Sequence, residues 1–393
     1  MSLTASPRSY ERNWAASMLE RTEMTFGELG ELFDGPHATP TRTKDGPFFL
    51  NISSLNDGRL DLNQSDHVSD EEFTKWTRRV TPEAGDLLFS YETRLGEAAL
   101  MPSGVKACLG RRMALLRPNR LAVEPAFLLY YYLSPEFQEL IAQHTIHGAT
   151  VNRIGLSTMP NWPLALPKLE EQRAIAEVLG ALDDKIAANS RVAATARMLQ
   201  TAEFTRLMSV VGCPSTIKEV LSLEYGKPLL AQNRRDGDVD VFGSGGIVGS
   251  HNEAFATGPG IVVGRKGTAG SVHWAPRGYY PIDTTFFVSS SDADIYSMIF
   301  CYHLLKSVRL SEQNSDSAVP GLNRNDAHAI KFRLPNQEAI RQFTETAMPQ
   351  ANLAMQIDQD SVALAAMRDA LLPQLMSGKL RVKDAEKSLA GVL

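Results

Sequence analysis

Two glycine-rich loops in the second half of the sequence carry residue types that could bind nucleic acid. They are residues 243–249, which include Ser244, and residues 264–270, which include Arg265, Lys266 and Thr268. Neither loop has the Walker A spacing around Lys266, and neither clearly opens a helix in a βαβ unit, which disfavours a nucleoside-triphosphate site. Cations and backbone N–H groups in a loop suit a nucleic-acid backbone or a base edge. The alternative is a pair of β-turns with solvated charges.

Paired polar residues in other loops are further candidates for contact with DNA. Asn152-Arg153 and Asn323-Arg324 recur at what the sequence indicates are matched positions, each ahead of a long helix. Because the pair recurs, phosphate contact or a role in loop structure is favoured over base reading. Arg111-Arg112 and Arg234-Arg235 are basic pairs for which DNA contact and a solvated surface are the alternatives. Arg94 is included because Tyr91-Glu92-Thr93-Arg94 aligns with Arg265-Lys266-Gly267-Thr268.

Recognisable catalytic motifs are missing from the sequence. It has no His-Glu-x-x-His, no Gly-x-Ser-x-Gly, no zinc-deaminase motif and no Asn-Pro-Pro-aromatic signature of adenine methyltransferases. The three cysteines are far apart, so they indicate neither a structural zinc nor a disulfide framework. We therefore predict a chain that is not an enzyme by itself and that holds no metal and no cofactor.

Length and charge narrow the class of protein. A chain of 393 residues has room for two or three domains. A net charge of −5 argues against a generic DNA-coating protein but leaves room for a local basic surface. No secretory signal is recognisable, and no apolar run reaches the ~20 residues of a membrane helix. We expect a soluble cytoplasmic protein with no membrane contact.

The elements that must position the candidate residues occur twice. Leu166-Pro167 opens one long helical stretch that closes with Leu207-Met208-Ser209, and Leu334-Pro335 opens another that closes with Leu375-Met376-Ser377. Residues 86–96 align without a gap on residues 260–270. Aromatic helices are predicted over residues 125–142 and, in the second copy, residues 295–305. The two copies begin at Leu166 and Leu334, so the repeat period is far longer than the ~20–50 residues of solenoid repeats. The chain is therefore a duplicated domain plus helix.

Both long helices carry apolar residues at alternating spacings of four and three, which is typical of a coiled-coil seam. The predicted seam residues are Ile175, Leu179, Leu182, Ile186 and the polar Asn189 in the first helix, and Phe343, Ile357, Leu364 and Leu371 in the second. About 40 residues at ~1.5 Å each give a length of ~60 Å. We expect the helices to pair antiparallel as a spacer, with Pro349 kinking or interrupting the second. The alternative is two packed surface helices.

The predicted fold class is α+β. Two pseudo-symmetric mixed α/β domains are separated by two long antiparallel, coiled-coil-like helices. The predicted boundaries are an N-terminal segment (residues 1–22, with a short helix over 10–20), domain 1 (23–166), a central helix (167–211), domain 2 (212–334), a C-terminal helix (335–380) and a tail (381–393).

The chain resembles the specificity subunit of type I restriction–modification systems over about residues 25–380. The resemblance rests on Leu-Pro-x-Leu-x-Glu-Gln-Arg-x-Ile-Ala-x-x-Leu-x-x-Leu-Asp-x-x-Ile, from Leu166 to Ile186, and on the stretch Arg-Asp-Ala-Leu-Leu-Pro-Gln-Leu-Met-Ser-Gly, from Arg368 to Gly378. Residues 242–249 and 263–270 add to it. The first domain matches only in Gly85-Asp86-Leu87-Leu88 and in its tail.

This resemblance implies two target-recognition domains that each read one half of a split, asymmetric sequence in double-stranded DNA. It also implies that the helices act as a ruler and bind two modification (methyltransferase) subunits, which carry S-adenosylmethionine. A restriction/translocase subunit would join the full complex. Half-sites one helical turn apart, ~34–36 Å, fit within such a spacer. The alternatives are an assembly scaffold without an active nuclease partner, a stand-alone methyltransferase and a nucleotide-binding enzyme.

Overall fold

The structure, a computed structural model, describes residues 20–36, 38–148, 150–313 and 321–391. Residues 10–19 of the predicted N-terminal helix lie outside these ranges. The described residues fall into two compact units. Unit 1 comprises those within Met1–Ala187 and Val362–Leu393, and unit 2 comprises those within Ala188–Ser361.

Unit 1 is mostly β-structure. Its strands are β1 (Arg21–Thr25), β2 (Gly30–Asp34), β3 (Arg42–Leu50), β4 (Leu55–Asn56), β5 (Arg59–Leu60), β6 (Asp66–Val68), β7 (Leu87–Ser90), β8 (Ala98–Leu100), β9 (Ala107–Leu109), β10 (Met113–Pro118), β11 (Thr145–Ile146), β12 (Arg153–Ile154) and β13 (Pro163–Pro167). Its first three helices are α1 (Asp70–Trp76), α2 (Pro125–Leu133) and α3 (Pro135–Gln143).

The central sheet of unit 1 has four antiparallel strands in the order β2-β10-β7-β8. All residues of β7 are buried, because the sheet is covered on both faces. Leu87 and Phe89 pack into one core while Leu88 packs into another, as expected when successive side chains face opposite sides of a strand. A second sheet, β6-β3-β9, includes the parallel pair β3–β9. Asp57-Gly58, a dipeptide that readily adopts positive φ, joins β4 to β5, and both residues have positive φ.

The helix predicted over residues 125–142 is two helices. Ser134 separates α2 from α3, and its hydroxyl accepts from the backbone N–H of Phe137 as an N-cap. Pro135 follows as the first residue of α3, where its missing N–H costs nothing. The Ser-Pro dipeptide is a helix-start signal, so this break was visible in the sequence.

Unit 2 repeats most of the strands of unit 1. Its strands are β14 (Cys213–Thr216), β15 (Leu221–Tyr225), β16 (Val239–Gly243), β17 (Gly246–His251), β18 (Gly260–Gly264), β19 (Val272–Ala275), β20 (Tyr279–Pro281), β21 (Thr285–Ser290) and β22 (Lys331–Leu334). Its helices are α5 (Ile217–Val220), α6 (Met298–Ser307) and α7 (Arg324–Ala329). In the sequence they lie between two long helices that span both units, α4 (Leu169–Met208) and α8 (Gln337–Met376). The chain then forms α9 (Val382–Leu389) in unit 1.

Three sheets of unit 1 match the three sheets of unit 2 strand for strand, while the short pairs β4–β5 and β11–β12 of unit 1 have no counterpart among the described residues of unit 2. The pair β14–β22 corresponds to β1–β13, the sheet β15-β21-β18-β19 corresponds to β2-β10-β7-β8, and β17-β16-β20 corresponds to β6-β3-β9. Each three-stranded sheet contains one parallel pair, β3–β9 or β16–β20. The predicted duplication is therefore present in the structure.

The long helices α4 and α8 contain 40 residues each, as the sequence predicts. In unit 2 they run antiparallel, since Arg197 pairs with Asp358 while the hydroxyl of Thr346 donates to Glu203 at 3.1 Å. In unit 1 Asp183 of α4 pairs with Arg368 of α8 at 2.7 Å. The α+β class with two long packed helices is confirmed.

The sequence predicts that Pro349 kinks or interrupts α8; the interruption is wrong, because the helix continues through this residue, and the kink stays a prediction. Proline removes one backbone hydrogen bond from the interior of a helix. The neighbouring turns are nevertheless held in place, since Ala347 and Ala354 are buried on either side of Pro349. Packing therefore outweighs the local cost.

Candidate functional site

The loop after β18 in unit 2 needs glycine for its shape. A Cβ atom on Gly264 would lie 2.2 Å from the carbonyl oxygen of Thr268, and Gly267 and Gly270 have positive φ. The N–H of Gly270 donates back to the carbonyl of Gly264 at 2.8 Å and closes the loop. Lys266 and Thr268 are exposed on it. The predicted DNA contacts at these two residues are therefore sterically open.

Ser244 joins the two glycine-rich loops. Its side chain is buried, and its hydroxyl donates to the carbonyl of Thr284 at 2.6 Å. Its own carbonyl oxygen lies 3.1 Å from Nε2 of His273 and accepts from the hydroxyl of Ser271. The loops thus lie side by side, and the hydroxyl and carbonyl of Ser244 are bonded inside the protein. The contact of Ser244 with DNA stays a prediction.

Two arginines of unit 2 converge on a tyrosine ring that is not among the predicted residues. Tyr225 ends β15 and is 51% exposed. The Cζ atoms of Arg265 and Arg324 lie 5.2 and 5.1 Å from its ring centroid. Arg265 also donates from Nη2 to the carbonyl of Asp283 at 2.8 Å. We call Arg265, Tyr225 and Arg324 the Arg–Tyr–Arg cluster. Its members are remote in sequence, so no spacing could have revealed it.

Backbone pairing brings the two predicted loops of unit 2 together. The N–H of Leu322 donates to the carbonyl of Arg265 at 2.9 Å, and Lys266 forms a β-bridge with Gly321. Asn323 is the N-cap of α7, where its side chain accepts from the N–H of Asn325 at 2.8 Å. The side chain of Asn323 thus has a structural role as a helix cap, and its contact with DNA stays a prediction.

The corresponding loops of unit 1 pair in the same way and correct the alignment of the Asn-Arg pairs. The N–H of Ile154 donates to the carbonyl of Tyr91 at 2.8 Å, and Glu92 bridges Arg153. Ile154 therefore corresponds to Leu322, and Arg153 corresponds to Gly321. The two Asn-Arg pairs do not occupy matched positions, because the segments before them differ in length. Both Asn152 and Arg153 are exposed.

Most of the other predicted arginines have partners within the protein. Arg94 donates to the carbonyl of Ile52 at 2.9 Å and pairs with Glu97 at 3.1 Å. Nε of Arg112 lies 3.1 Å from the carboxylate of Glu92.

Each of the two basic pairs, Arg111-Arg112 and Arg234-Arg235, contains one exposed arginine. Arg111 and Arg235 are exposed, while Arg234 donates to the carbonyl of Val248 at 2.6 Å. These geometries assign structural bonds to Arg94, Arg112 and Arg234, and their contact with DNA stays a prediction.

The predicted seam residues lie on the inner sides of α4 and α8 within each unit. In unit 1 Ile175, Leu179 and Leu182 share a core with Leu364 and Leu371. In unit 2 Phe343 packs on Phe204 with ring centroids 5.6 Å apart. The remaining three, Ile186, Asn189 and Ile357, are half-buried.

His328 of unit 2 lies in an environment that disfavours its protonated form. Burial lowers the pKa of His328 in α7, and the charges of Lys218 and Arg324 lower it further. Its Nε2 accepts from the N–H of Leu223 at 2.9 Å.

No group of histidines, cysteines and carboxylates that could hold a metal occurs within the described ranges. Across the same residues no helix is both long and apolar enough to cross a bilayer.

The sequence and the fold of this chain are both similar to those of known type I restriction–modification specificity proteins. Residues 21–195 match the family model of the type I restriction modification DNA specificity domain. A putative type I restriction enzyme MjaX specificity subunit from Methanocaldococcus jannaschii is 28% identical over 163 residues, 39% of this chain and 37% of the relative. The type I restriction enzyme EcoBI specificity subunit of Escherichia coli is 26% identical over 132 residues, 34% of this chain and 27% of the relative. The aligned segments thus span well under half of these two relatives.

The fold extends the similarity to almost the whole chain. The crystal structure of the type I restriction–modification system S subunit from M. genitalium superposes with a TM-score of 0.64 at 18% identity, covering 91% of this chain and 96% of that one. Residues 21–195 are thus similar in sequence to type I restriction modification DNA specificity domains, and the chain shares its fold with a type I restriction–modification system S subunit.

Proposed function

We propose that this chain recognises a split, asymmetric DNA sequence as the non-catalytic specificity subunit of a type I restriction–modification complex. The observation that carries the proposal is one scaffold built twice with different loop chemistry. Three sheets of each unit match strand for strand, while Tyr91-Glu92-Thr93-Arg94 occupies in unit 1 the position of Arg265-Lys266-Gly267-Thr268 in unit 2. A repeated scaffold with changed loops is what two readers of different half-sites require.

The chain's partners would supply the chemistry. Two modification subunits would bring S-adenosylmethionine and transfer the methyl group to adenine, and a restriction/translocase subunit would complete the nuclease form. In this arrangement the chain needs no cofactor, and the complex acts on DNA in the cytoplasm. The helices α4 and α8 would set the distance between the half-sites, since ~60 Å exceeds the ~34–36 Å between sites one turn apart.

The test is co-expression of the chain with the methyltransferase subunits encoded beside it, followed by sequencing of methylated bases in the host DNA. We expect adenine methylation at a bipartite, asymmetric motif that disappears when this chain is deleted. A stable complex with unchanged methylation would contradict the proposal and favour an assembly role. Binding of the purified complex to random and motif-bearing duplexes would then show whether any sequence preference exists.

A further inference from the structure

The three positions of the Arg–Tyr–Arg cluster have counterparts in unit 1. The edge strands β2 and β15 have five residues each, so their last residues, Asp34 and Tyr225, correspond. Tyr91 directly follows β7 as Arg265 directly follows β18. These assignments agree with the strand order, because β2 and β15 occupy the same edge of matching sheets.

The third position follows from the backbone pairing of the loops. Ile154 and Leu322 donate to the carbonyls of Tyr91 and Arg265, so Leu156 and Arg324, each two residues further on, correspond. The scaffold that presents tyrosine and two arginines in unit 2 thus presents aspartate, tyrosine and leucine in unit 1.

The chemistry at these positions differs in sign between the units. In unit 1 Asp34 is an anion paired with Arg79 at 2.6 Å, and Tyr91 and Leu156 carry no charge. In unit 2 two guanidinium groups lie close to an exposed ring. Within the described residues neither Arg265 nor Arg324 pairs with a carboxylate. The charge of Arg324 still acts on its surroundings, since it helps to lower the pKa of His328.

Stacking on Tyr225 restricts both arginines. A cation within ~6 Å of an aromatic centroid is attracted to the face of the ring, by about 0.5–1 kcal/mol at exposed sites. A guanidinium held in one orientation loses less side-chain freedom when it binds, which favours planar, bidentate partners. Two cations held at one small surface, with no carboxylate partner among the residues that the structure describes, therefore form a site for hydrogen-bond acceptors.

We propose that the Arg–Tyr–Arg cluster is a DNA-contact site of unit 2 and that Tyr225 is the positioning residue that holds its two arginines ready for acceptor atoms of DNA. The inference rests on the proposed function and adds a residue and a chemistry to it. The acceptors are either the O6 and N7 atoms of a guanine edge or the oxygens of a phosphate. The corresponding surface of unit 1, with Asp34 in the place of Tyr225, binds DNA differently.

The experiment measures binding of the assembled complex to a duplex that carries its motif, with the motif first read from methylated host DNA. Arg324→Ala should weaken binding by roughly 5- to 150-fold. Tyr225→Ala should weaken it as well, while Tyr225→Phe, which keeps the ring, should stay within about twofold. Arg277→Ala removes an exposed arginine of unit 2 elsewhere and serves as the charge-matched control. A thermal melt of each variant confirms folding, which the half-exposed position of Tyr225 should preserve.

Two readouts identify the acceptor. A guanine contact predicts that Arg324→Ala relaxes the methylation motif at one base of one half-site. A phosphate contact predicts uniform weakening across sequences and a salt dependence shallower by about one unit. In the phosphate case Arg324→Lys should retain much of the affinity, and in the guanine case it should not.

The outcomes separate this inference from the function on which it rests. Unchanged affinity, motif and salt dependence in Arg324→Ala and Tyr225→Ala, with a sequence-specific wild type, would overturn the cluster as a contact site. A loss in Tyr225→Phe equal to that in Tyr225→Ala would overturn the role of the ring. A wild-type complex without sequence preference would overturn the proposed function itself, and this inference with it.

Discussion

Asp86 illustrates how a single buried charge fixes a strand in unit 1. It is 2% exposed and accepts from Nε and Nη2 of Arg117 at 3.0 and 2.8 Å. It also accepts from the backbone N–H of Glu83 at 2.8 Å, which shapes the turn before β7. These bonds raise the pKa of Arg117 above its usual value. Asp86 is part of the Gly85–Leu88 stretch on which the family resemblance rests, and in the structure it holds Arg117 and the turn before β7 in place.

We expect Asp86→Ala to lower the free energy of unfolding by about 2–4 kcal/mol, because a half-buried guanidinium and a backbone N–H lose their acceptor. Chemical denaturation of the purified chain measures this. Glu338→Ala, which breaks the exposed pair with Arg341, should change stability by less than ~0.5 kcal/mol. Equal effects of the two substitutions would show that the Asp86 network contributes no more than a surface pair.

His303 makes unit 2 sensitive to acid. It lies in α6 between Phe204 and Phe343, and desolvation, with a smaller effect of Lys306, lowers its pKa to about 4. The unfolded chain takes up a proton near pH 6.5, whereas the folded protein resists until about pH 4. Stability from the neutral ring is therefore complete above pH 6.5 and is lost as the pH falls towards 4, by roughly 3 kcal/mol at most.

The measurement is the free energy of unfolding between pH 7.5 and pH 4 for the wild type and for His303→Leu. We expect the variant to lose less stability than the wild type over this range, since it has no ring to protonate. Because other groups titrate in both proteins, only the difference between the two curves tests His303. Parallel curves would contradict a buried neutral histidine.

At the scale of elements, the sequence was most informative where a pattern is local. The two long helices follow from the spacing of neighbouring apolar residues and from the Leu-Pro and Leu-Met-Ser segments at their ends, and the structure contains both. The Arg–Tyr–Arg cluster could not be predicted, because three distant segments meet only after the sheet has formed. The Asn-Arg pairs misled for a related reason: matching letters near a loop of different length do not occupy matching positions.

Pro349 gives a direct test of how strongly packing holds α8. The helix continues through this exposed proline and thus tolerates a missing hydrogen bond. Pro349→Ala should stabilise the chain, by up to about 3 kcal/mol on the scale of helix propensities. Glu345→Ala, at an exposed position one turn earlier, should shift the melting free energy by less than ~0.5 kcal/mol. A destabilised Pro349→Ala variant would mean that a bend at this residue is required by the fold.

At the scale of the whole molecule, each long helix is divided between the two units. The first part of α4, up to Ala187, packs in unit 1, and the rest, from Ala188, packs in unit 2; α8 divides likewise at Ser361. The separate helix boundaries at residues 167–211 and 335–380 stay a prediction. Composition and periodicity identify a helix, but only tertiary contacts decide which core each of its turns joins.

This division makes α4 and α8 the elements whose length should control the spacing of half-sites. Insertion of one heptad after Ser190 in α4 and one after Ser361 in α8 keeps the apolar seam in register. It adds ~10 Å at ~1.5 Å per residue. With one base pair per ~3.4 Å, we expect the non-specific spacer of the methylated motif to lengthen by about three base pairs while both half-sites stay the same.

A seven-residue insertion at Gly104, whose Cβ position is open, is the matched control and should leave the motif unchanged. Sequencing of methylated bases reads both results, and an unaltered spacer in the heptad variant would refute the ruler role of the helices.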